Sequence, residues 1–321
     1  MIVVLLGSCK KFLELEPLAQ ISASQFYKSK FDVDAAMAGM YSAFQLTMVG
    51  ESQFQDRYHY WGEFRSDNFH RSLSYNNQSV NELAFNSITP DNAYTDWTPL
   101  YNVVSKANNN IKYIPGVPEL DNLVTEDMVN TSLAQSYAMR AMAYFYIVRM
   151  WGDAPIWTEP FETLAENAEK PRESADKIID EVIIKDLERA YELTTKNQTN
   201  VIWYLGEGAI CAALADVYMW KKDYPNAIIW FKNLFKAKGP TGAVYGGLSE
   251  ANLQPTATWK SIFTAPASSI ESIWSIHWDY ATNGCPCTQL SYSTSNKHFV
   301  VEPTFHASYF SLYSQPANDG D

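Results

Sequence analysis

Basic residues are scarce in this sequence, and the scarcity argues against a nucleic-acid partner. The 321 residues include 24 Lys and Arg against 36 Asp and Glu, a formal net charge of −12. Proteins that bind a phosphate backbone neutralise it with clustered Lys and Arg, and this sequence has no run of basic residues that would do so. We therefore expect no nucleic-acid partner.

Long apolar runs are also missing, so the sequence predicts no membrane-spanning helix. Such a helix needs about 18 or more consecutive apolar residues. The chain instead opens with a short apolar stretch that ends in Leu6-Gly-Ser-Cys9, which has the form of a lipobox. We interpret residues 1–9 as a truncated lipoprotein signal, with Cys9 lipidated and the membrane reached by the lipid anchor alone. The alternative is a buried structural cysteine, against which the two lysines after Cys9 argue.

Cysteine is rare, with four in the chain, and the spacing of these residues does not indicate a disulfide framework. Cys211 lies in an apolar helical stretch, and Cys285 and Cys287 are separated by one residue, so whether they are bridged stays open. A zinc site would need four ligands, which His277 and His298 would complete only if the chain folded back. We predict neither a metal nor a cofactor.

Catalytic signatures are missing as well. The sequence contains no G-x-S-x-G elbow, no H-E-x-x-H and no P-loop. Glu63 and Asp67 are four residues apart, which places them on one side of a helix and not across a cleft as glycoside hydrolysis requires. We predict that the protein is not an enzyme.

Helical periodicity is what the sequence has in abundance between residues 32 and 240. We predict a helix from Asp34 to Phe44, a long helix from Leu133 to Trp151 that Gly152 ends, and a helix that Ser174 begins. In the last of these helices the pattern places Ile179, Ile183, Leu187 and Ala190 inward and most of the acidic residues, including Asp186, outward.

A tetratricopeptide-like unit is predicted between Gly208 and Pro240. Leu214-Ala-x-x-Tyr218 followed by Ala227-x-x-x-Phe231 is close to the pattern of that repeat. One such unit cannot bury both of its faces, so its helices must pack on the others. Tyr144, Phe145 and Phe231 fall on periodic faces and are expected to be core residues.

The overall prediction is a mainly α fold, in which tetratricopeptide-like helical pairs form a scaffold and a loop-rich irregular region carries short strands. Ser272 to Ile276 alternates like one such half-buried strand. We predict a helical region at 10–240 and a loop-rich ligand-binding region at 241–321.

Aromatic residues outside the helical stripes indicate a binding surface. The chain has 10 Trp, 20 Tyr and 16 Phe, and several of these rings stand beside Asn, Asp, Arg or His in two loop stretches. A sugar offers an apolar C–H face and a rim of hydroxyls, which such groups suit. The candidate ligand-binding residues are Asn68, His70, Arg71, Tyr75, Asn76, Trp278, Tyr280 and Tyr292.

Several motifs, in this order, resemble the SusD/RagB family of nutrient-binding outer-membrane lipoproteins of Bacteroidota. After Cys9 come FLELEP at 12–17 and EFRSDN at 63–68. The strongest match is MRAMAYFYIVRMWGDAP at 139–155, and ESIWSI at 271–276 continues the resemblance. Family members extend well beyond this point, so the resemblance implies a chain that is incomplete at its C-terminal end, with the start of a C-terminal SusD/RagB portion within 241–321.

The resemblance implies a surface-exposed, lipid-anchored protein of the outer membrane that captures oligosaccharides. It implies a SusC-like TonB-dependent transporter as the partner that receives them, a task without catalysis. It also places the ligand-contacting loops in the same two stretches of the chain. The alternatives are a helical-repeat interaction protein without a small ligand, a peptide-binding relative of the same family, and a secreted hydrolase.

Overall fold

The fold is built mainly from helices. The computed structural model describes residues 23–49, 60–62, 65–66, 68–71, 77–162, 167–279 and 299–301. The α-helices are α1 (Ala23–Phe26), α2 (Lys30–Val49), α3 (Gln78–Ala84), α4 (Thr98–Tyr113), α5 (Glu126–Trp151), α6 (Ala175–Ile178), α7 (Ile184–Leu193), α8 (Glu207–Trp220), α9 (Tyr224–Lys236) and α10 (Ser261–Thr264). None of the helices in these ranges is long and apolar enough to span a membrane.

Short 3₁₀ segments and two strands complete the described part of the chain. The 3₁₀ segments are Ala93–Thr95, Ile114–Glu119, Glu250–Asn252, Thr256–Thr258 and Pro266–Ser268, and the strands are β1 (Phe69–Arg71) and β2 (Phe299–Val301). The two strands are antiparallel, with Phe69 opposite Val301, His70 opposite Val300 and Arg71 opposite Phe299. The stretch after Trp278 therefore returns to the first predicted binding stretch.

Helix α2 begins with a capping box formed by Ser29 and Asp32. The Ser29 backbone N–H donates to Asp32 Oδ2 at 2.8 Å, and the Asp32 backbone N–H donates to Ser29 Oγ at 3.4 Å. The predicted start at Asp34 is therefore wrong. Asp34 instead pairs with Lys30 at 2.6 Å on the exposed side of the helix.

The long helix α5 ends where the sequence predicts and begins earlier. Gly152 takes a left-handed conformation with φ 73°, which terminates the helix. At the other end the Thr125 side chain accepts a hydrogen bond from the Met128 backbone N–H at 3.3 Å, so the helix starts at Glu126 and not at Leu133.

The helix after Ser174 contains a π-helical turn that the sequence pattern does not reveal. Ser174 caps the helix as predicted, since its side chain accepts a hydrogen bond from the Lys177 backbone N–H. Residues Ile179–Ile183 then form a π turn between α6 and α7. The predicted inward residues are buried, and so is Asp186, which contradicts its predicted outward position.

Helices α8 and α9 form the predicted tetratricopeptide-like pair. Ala227 and Leu214 are buried where the helices meet, and Cys211 is a free, buried thiol in α8. Burial raises the pKa of the Cys211 thiol to about 12. The prediction for Phe231 is wrong: its side chain is 37% exposed. Phe231 lies at the edge of the buried face of α9, beside the exposed Tyr224 and Ile228.

One buried ion pair ties three helices and a following loop together. Arg140 on α5 and Asp186 on α7 are 5% and 6% exposed. Arg140 Nε and Nη2 each donate to a carboxylate oxygen of Asp186 at 2.7 Å. Burial raises the pKa of the Asp186 carboxyl, and the hydrogen bonds and charge of Arg140 oppose that shift. The two parallel hydrogen bonds give each carboxylate oxygen of Asp186 a donor inside the core.

The third nitrogen of the Arg140 guanidinium, Nη1, extends the network to α4. Arg140 Nη1 donates to Asn108 Oδ1 and to the Thr158 carbonyl, both at 2.8 Å. The Asn108 amide in turn donates to the carbonyls of Trp157 and Glu159 at 3.1 Å. Tyr144, fully buried as predicted, holds the same loop, since its hydroxyl accepts from the Trp157 N–H at 2.6 Å.

A second hydrogen-bond network holds segment 272–277 through Asn200 in the loop before α8 and Tyr245 in the loop after α9. Tyr245 Oη donates to the Ser272 carbonyl at 2.8 Å and accepts from the Asn200 amide at 2.9 Å, and that amide also reaches the Ile273 carbonyl. The Tyr245 ring needs space that glycine leaves: a Cβ on Gly208 would lie 2.9 Å from Tyr245 Cε2.

Further along, the same segment is held by two more contacts. The Ser275 N–H donates to the Ile202 carbonyl at 2.8 Å, and the Gln45 amide donates to the His277 carbonyl at 2.5 Å. The predicted strand at 272–276 is not a strand in the structure: single contacts hold this segment, and it forms no ladder with another described strand. These contacts fix the backbone immediately before Trp278.

The Arg140–Asp186 pair yields the first prediction. Arg140→Met leaves a buried carboxylate without its counter-charge, and we expect a loss of about 3–5 kcal/mol in the free energy of unfolding. The double variant Arg140→Met/Asp186→Leu removes both charges and is expected to be clearly more stable than Arg140→Met alone. Urea unfolding measures the free energy of unfolding of both variants. A double variant that is no more stable than Arg140→Met would contradict the prediction. Lys30→Ala, which breaks an exposed pair, is the control and is expected to cost at most about 0.5 kcal/mol.

The Tyr245 contacts yield the second prediction. Tyr245→Phe keeps the ring between Gly208 and Gly239 and removes only the hydroxyl, so we expect a loss of about 1 kcal/mol in the free energy of unfolding. Hydrogen exchange of the Ser275 amide should become faster, because the segment is less firmly held. Tyr224→Phe, on the exposed side of α9, should change neither quantity. An unchanged Ser275 exchange rate in Tyr245→Phe would show that the hydroxyl does not hold the segment.

Candidate functional site

A large cavity lies between α2 and the beginning of α5. We call this cavity, of about 890 Å³, the cleft. Residues 34–45 of α2, residues 127–135 of α5, Trp203–Tyr204 and residues 274–277 form its walls. Its volume falls within the range of about 300–1,000 Å³ that is typical of small-molecule sites.

A second cavity, of about 500 Å³, lies beside the same segment, and we call it the depression. It is lined by residues 263–268, by Trp203 and by residues 275–278, including Trp278. The cleft and the depression share four residues: Trp203, Ser275, Ile276 and His277. The Trp203 and His277 rings meet edge to face with centroids 4.7 Å apart.

The inner wall of the cleft is fixed by Tyr41. Its hydroxyl donates to Gln135 Oε1 and accepts from the Leu205 N–H, both at 2.9 Å, which links α2, α5 and the loop before α8. Burial raises the pKa of Tyr41 well above its ordinary value, so the hydroxyl keeps its proton. The Tyr204 ring stands edge-on to Tyr41 at 5.5 Å and is 51% exposed.

Trp274 contributes an apolar wall to the cleft and no hydrogen bond. Its ring lies 5.7 Å from that of Phe44. Its Nε1 atom is shielded from solvent and has no hydrogen-bond partner among the described residues. A ligand in the cleft would therefore meet the Trp274 ring and not its N–H.

The two cavities combine aromatic rings with neutral polar groups. Gln45, Gln135, Ser132 and Thr131 line the cleft, and Asp34 and Asp127 stand at one end of it. Of the described residues that line either cavity, none is Lys or Arg. Rings that stack on C–H faces, with amides and hydroxyls beside them, suit a polyhydroxylated ligand. Within the described ranges, no three His, Cys, Asp or Glu side chains converge as they would around a metal ion.

The structure describes part of the predicted site. Trp278 is half-buried and lines the depression, and Asn68 is half-buried with its backbone N–H donating to Ser66 Oγ at 3.3 Å. His70 and Arg71 are residues of β1. Five predicted residues lie outside the described residues: Cys9, Tyr75, Asn76, Tyr280 and Tyr292. The lipidation of Cys9 and the ligand contacts of the other four therefore stay predictions.

Trp203, Tyr204 and Phe263 also line the cavities and are not among the residues predicted from the sequence. A signal for the first two was available, because Trp203 and Tyr204 lie outside any helical stripe, between Asn200 and Gly206. Tyr75 and Trp278, which were predicted, share this position outside the helical stripes. Gln45 and Gln135 carry no such signal, since polar residues on a helix usually face solvent.

A protein-family comparison supports the chain's relationship to glycan-binding proteins. Residues 11–219 match the SusD-like family model described as starch-binding and associating with the outer membrane. SusD-like protein P38 of Formosa agariphila is 32% identical over 224 residues, which are 69% of this chain and 41% of that protein. A SusD-like protein of Bacteroides ovatus is 24% identical and is matched over 38% of its length. The chain thus spans less than half the length of these relatives.

Solved structures show the same fold. A SusD superfamily protein from Bacteroides thetaiotaomicron superimposes with a TM-score of 0.67 at 16% identity, covering 92% of this chain and 62% of that one. A laminarin-binding SusD-like protein superimposes with a TM-score of 0.63 at 18% identity, covering 77% of this chain and 51% of that one. The helical scaffold is therefore the SusD fold, and the match over residues 11–219 shows that this chain belongs to the SusD-like family.

Proposed function

We propose that this protein captures oligosaccharides at the cell surface and delivers them, without chemical change, to a SusC-like TonB-dependent transporter of the outer membrane. Membership of a family described as starch-binding and outer-membrane-associated supports the glycan and the membrane. The observation that carries the proposal for this chain is the pair of cavities that share Ser275–His277 as a wall. Their walls offer the rings and neutral polar groups that sugars require.

The proposed binding surface extends from the two cavities to the predicted loop residues. Trp278 already lines the depression, and the β1–β2 pairing supports a surface in which the stretch after Trp278 and the stretch around Asn68 act together. We include His70, Arg71, Tyr75, Asn76, Tyr280 and Tyr292 in this surface. A glycan array probed with the purified protein identifies the sugar, and binding of no glycan would refute the function.

A protein partner is favoured by a separate observation on the α8–α9 pair. Tyr224 and Ile228 on α9 and Trp220 at the end of α8 are all more than half exposed. Neighbouring exposed apolar side chains of this kind mark interaction surfaces. This supports both the proposed transporter contact and the alternative of a helical-repeat interaction protein. Co-purification with a TonB-dependent transporter from solubilised outer membranes distinguishes the two, because only the first requires that partner.

The site yields the third prediction, which separates binding rings from packing rings. Trp278→Ala and Tyr75→Ala should each weaken binding of an oligosaccharide by about 2 kcal/mol, roughly thirtyfold, because each removes a stacking surface. The melting temperature should change little. Tyr144→Ala is the contrast: Tyr144 is fully buried, so its loss should cost roughly 3–5 kcal/mol of stability.

Calorimetric titration and thermal melts of the three variants together check this division. Unfolding of Trp278→Ala with a stable Tyr144→Ala would show that the assignment of rings is reversed. Unchanged binding in both loop variants, for a glycan that the wild-type protein holds, would place the site elsewhere.

The lipid anchor yields the fourth prediction. In a chain that carries a complete natural signal peptide, Cys9 should incorporate labelled palmitate and the protein should fractionate with the outer membrane. Leu6 and the small residues at positions 7 and 8 are what the signal peptidase needs. Cys9→Ala should lose both properties, whereas Cys211→Ala, which alters a buried thiol, should keep them. Palmitate incorporation by Cys9→Ala would rule out the lipobox.

A further inference from the structure

We propose that the cleft and the depression form one continuous track for an extended oligosaccharide, so that affinity increases with chain length until both cavities are occupied. The inference rests on the proposed glycan-binding function and specifies the class of ligand. Three features of the structure support it: the shared wall, the rigidity of that wall, and the division of the exposed rings between the two cavities.

The shared wall makes the two cavities neighbours. Trp203, Ser275, Ile276 and His277 line both, and the Trp203 and His277 rings contact each other edge to face. A ligand that contacts Trp203 in the cleft is therefore already in contact with a residue that also lines the depression. The path between the cavities follows the segment Ser275–His277.

The wall is rigid, which keeps both cavities open at the same time. The Ser275 N–H donates a hydrogen bond to the Ile202 carbonyl, which attaches the wall to the loop before α8. The Gln45 side-chain amide donates a hydrogen bond to the His277 carbonyl, which attaches the wall to α2. Gln45 is itself buried. Movement of the segment into one cavity would break these hydrogen bonds, so a ligand in one cavity does not close the other.

The exposed rings are divided between the cavities. Tyr204 lines the cleft and not the depression, while Phe263 lines the depression and not the cleft. They are 51% and 73% exposed, so each offers a large free surface for stacking. The cleft alone has the volume of a complete small-molecule site. A short sugar therefore reaches one of the two rings, and only a longer chain reaches both.

The experiment measures affinity against ligand length. Calorimetry with two neutral glucan series, maltose to maltoheptaose and laminaribiose to laminariheptaose, gives Kd for the wild-type protein and for Tyr204→Ala and Phe263→Ala. Neutral glucans are suitable probes because no Lys or Arg is among the described residues that line the cavities. Phe31→Ala is the matched control, because Phe31 is 78% exposed and lines neither cavity.

We expect the wild-type Kd to fall along at least one series and then level off. For the longest ligand, each cavity variant should weaken binding about thirtyfold, as loss of an aromatic hot spot does. For the disaccharide, one cavity variant should weaken binding and the other should leave it unchanged. Phe31→Ala should match the wild type throughout, and all variants should keep the wild-type melting temperature.

The contrary results are distinct from one another. A Kd that does not depend on length refutes the continuous track and leaves glycan binding intact. The same is true if either cavity variant leaves binding of the longest ligand unchanged, or if both variants weaken disaccharide binding equally. If the wild-type protein binds neither series, a glucan-binding function fails together with the track.

Discussion

The buried contact between Arg140 and Asp186 is the constraint on which the helical scaffold depends. Removing two charges from water is costly, and the cost is offset only where the geometry is good and the remaining donors are satisfied. Here two donors of the guanidinium hold the carboxylate, and Nη1 holds Asn108 and the Thr158 carbonyl. One side chain therefore fixes the relative positions of α4, α5, α7 and the loop after α5. These directional bonds add a defined geometry to the apolar contacts between the same helices.

That arrangement determines where the candidate site can form. Helix α2 packs beside α4 and supplies Gln45, while α5 supplies Gln135, so the cleft lies between helices whose positions the core has already set. The α8–α9 pair contributes through the space beside Gly208, which admits the Tyr245 ring and thereby holds Ser272. Segment 272–277 is thus attached to α2, to the loop before α8 and to the loop after α9. The site is a consequence of helix packing, although none of its central residues, Trp203, His277 and Trp278, lies in a helix.

Local sequence signals predicted what local interactions decide. Gly152 and Ser174 mark helix ends because the left-handed turn and the side-chain cap each depend on a few adjacent residues. The outward position predicted for Asp186 was wrong because its partner Arg140 is 46 residues away. Without that partner, a buried acidic residue cannot be told from a surface one in the sequence. The π turn at Ile179–Ile183 leaves no mark in the apolar pattern. Gln45 and Gln135 escaped prediction for the same physical reason, since they line the cleft only after helices distant in sequence have packed.

The network around segment 272–277 also bears on the affinity of this surface for the sugar ligand that we propose. Part of the free energy of an association is lost when loops and side chains become ordered on binding. In this chain four backbone groups of the segment, those of Ser272, Ile273, Ser275 and His277, already have partners on the scaffold before any ligand arrives. The cost of ordering the segment is therefore incurred during folding. Stacking of the proposed sugar ligand on Trp203 and Trp278 can then contribute to affinity in full, because such a ligand offers only C–H faces and hydroxyls.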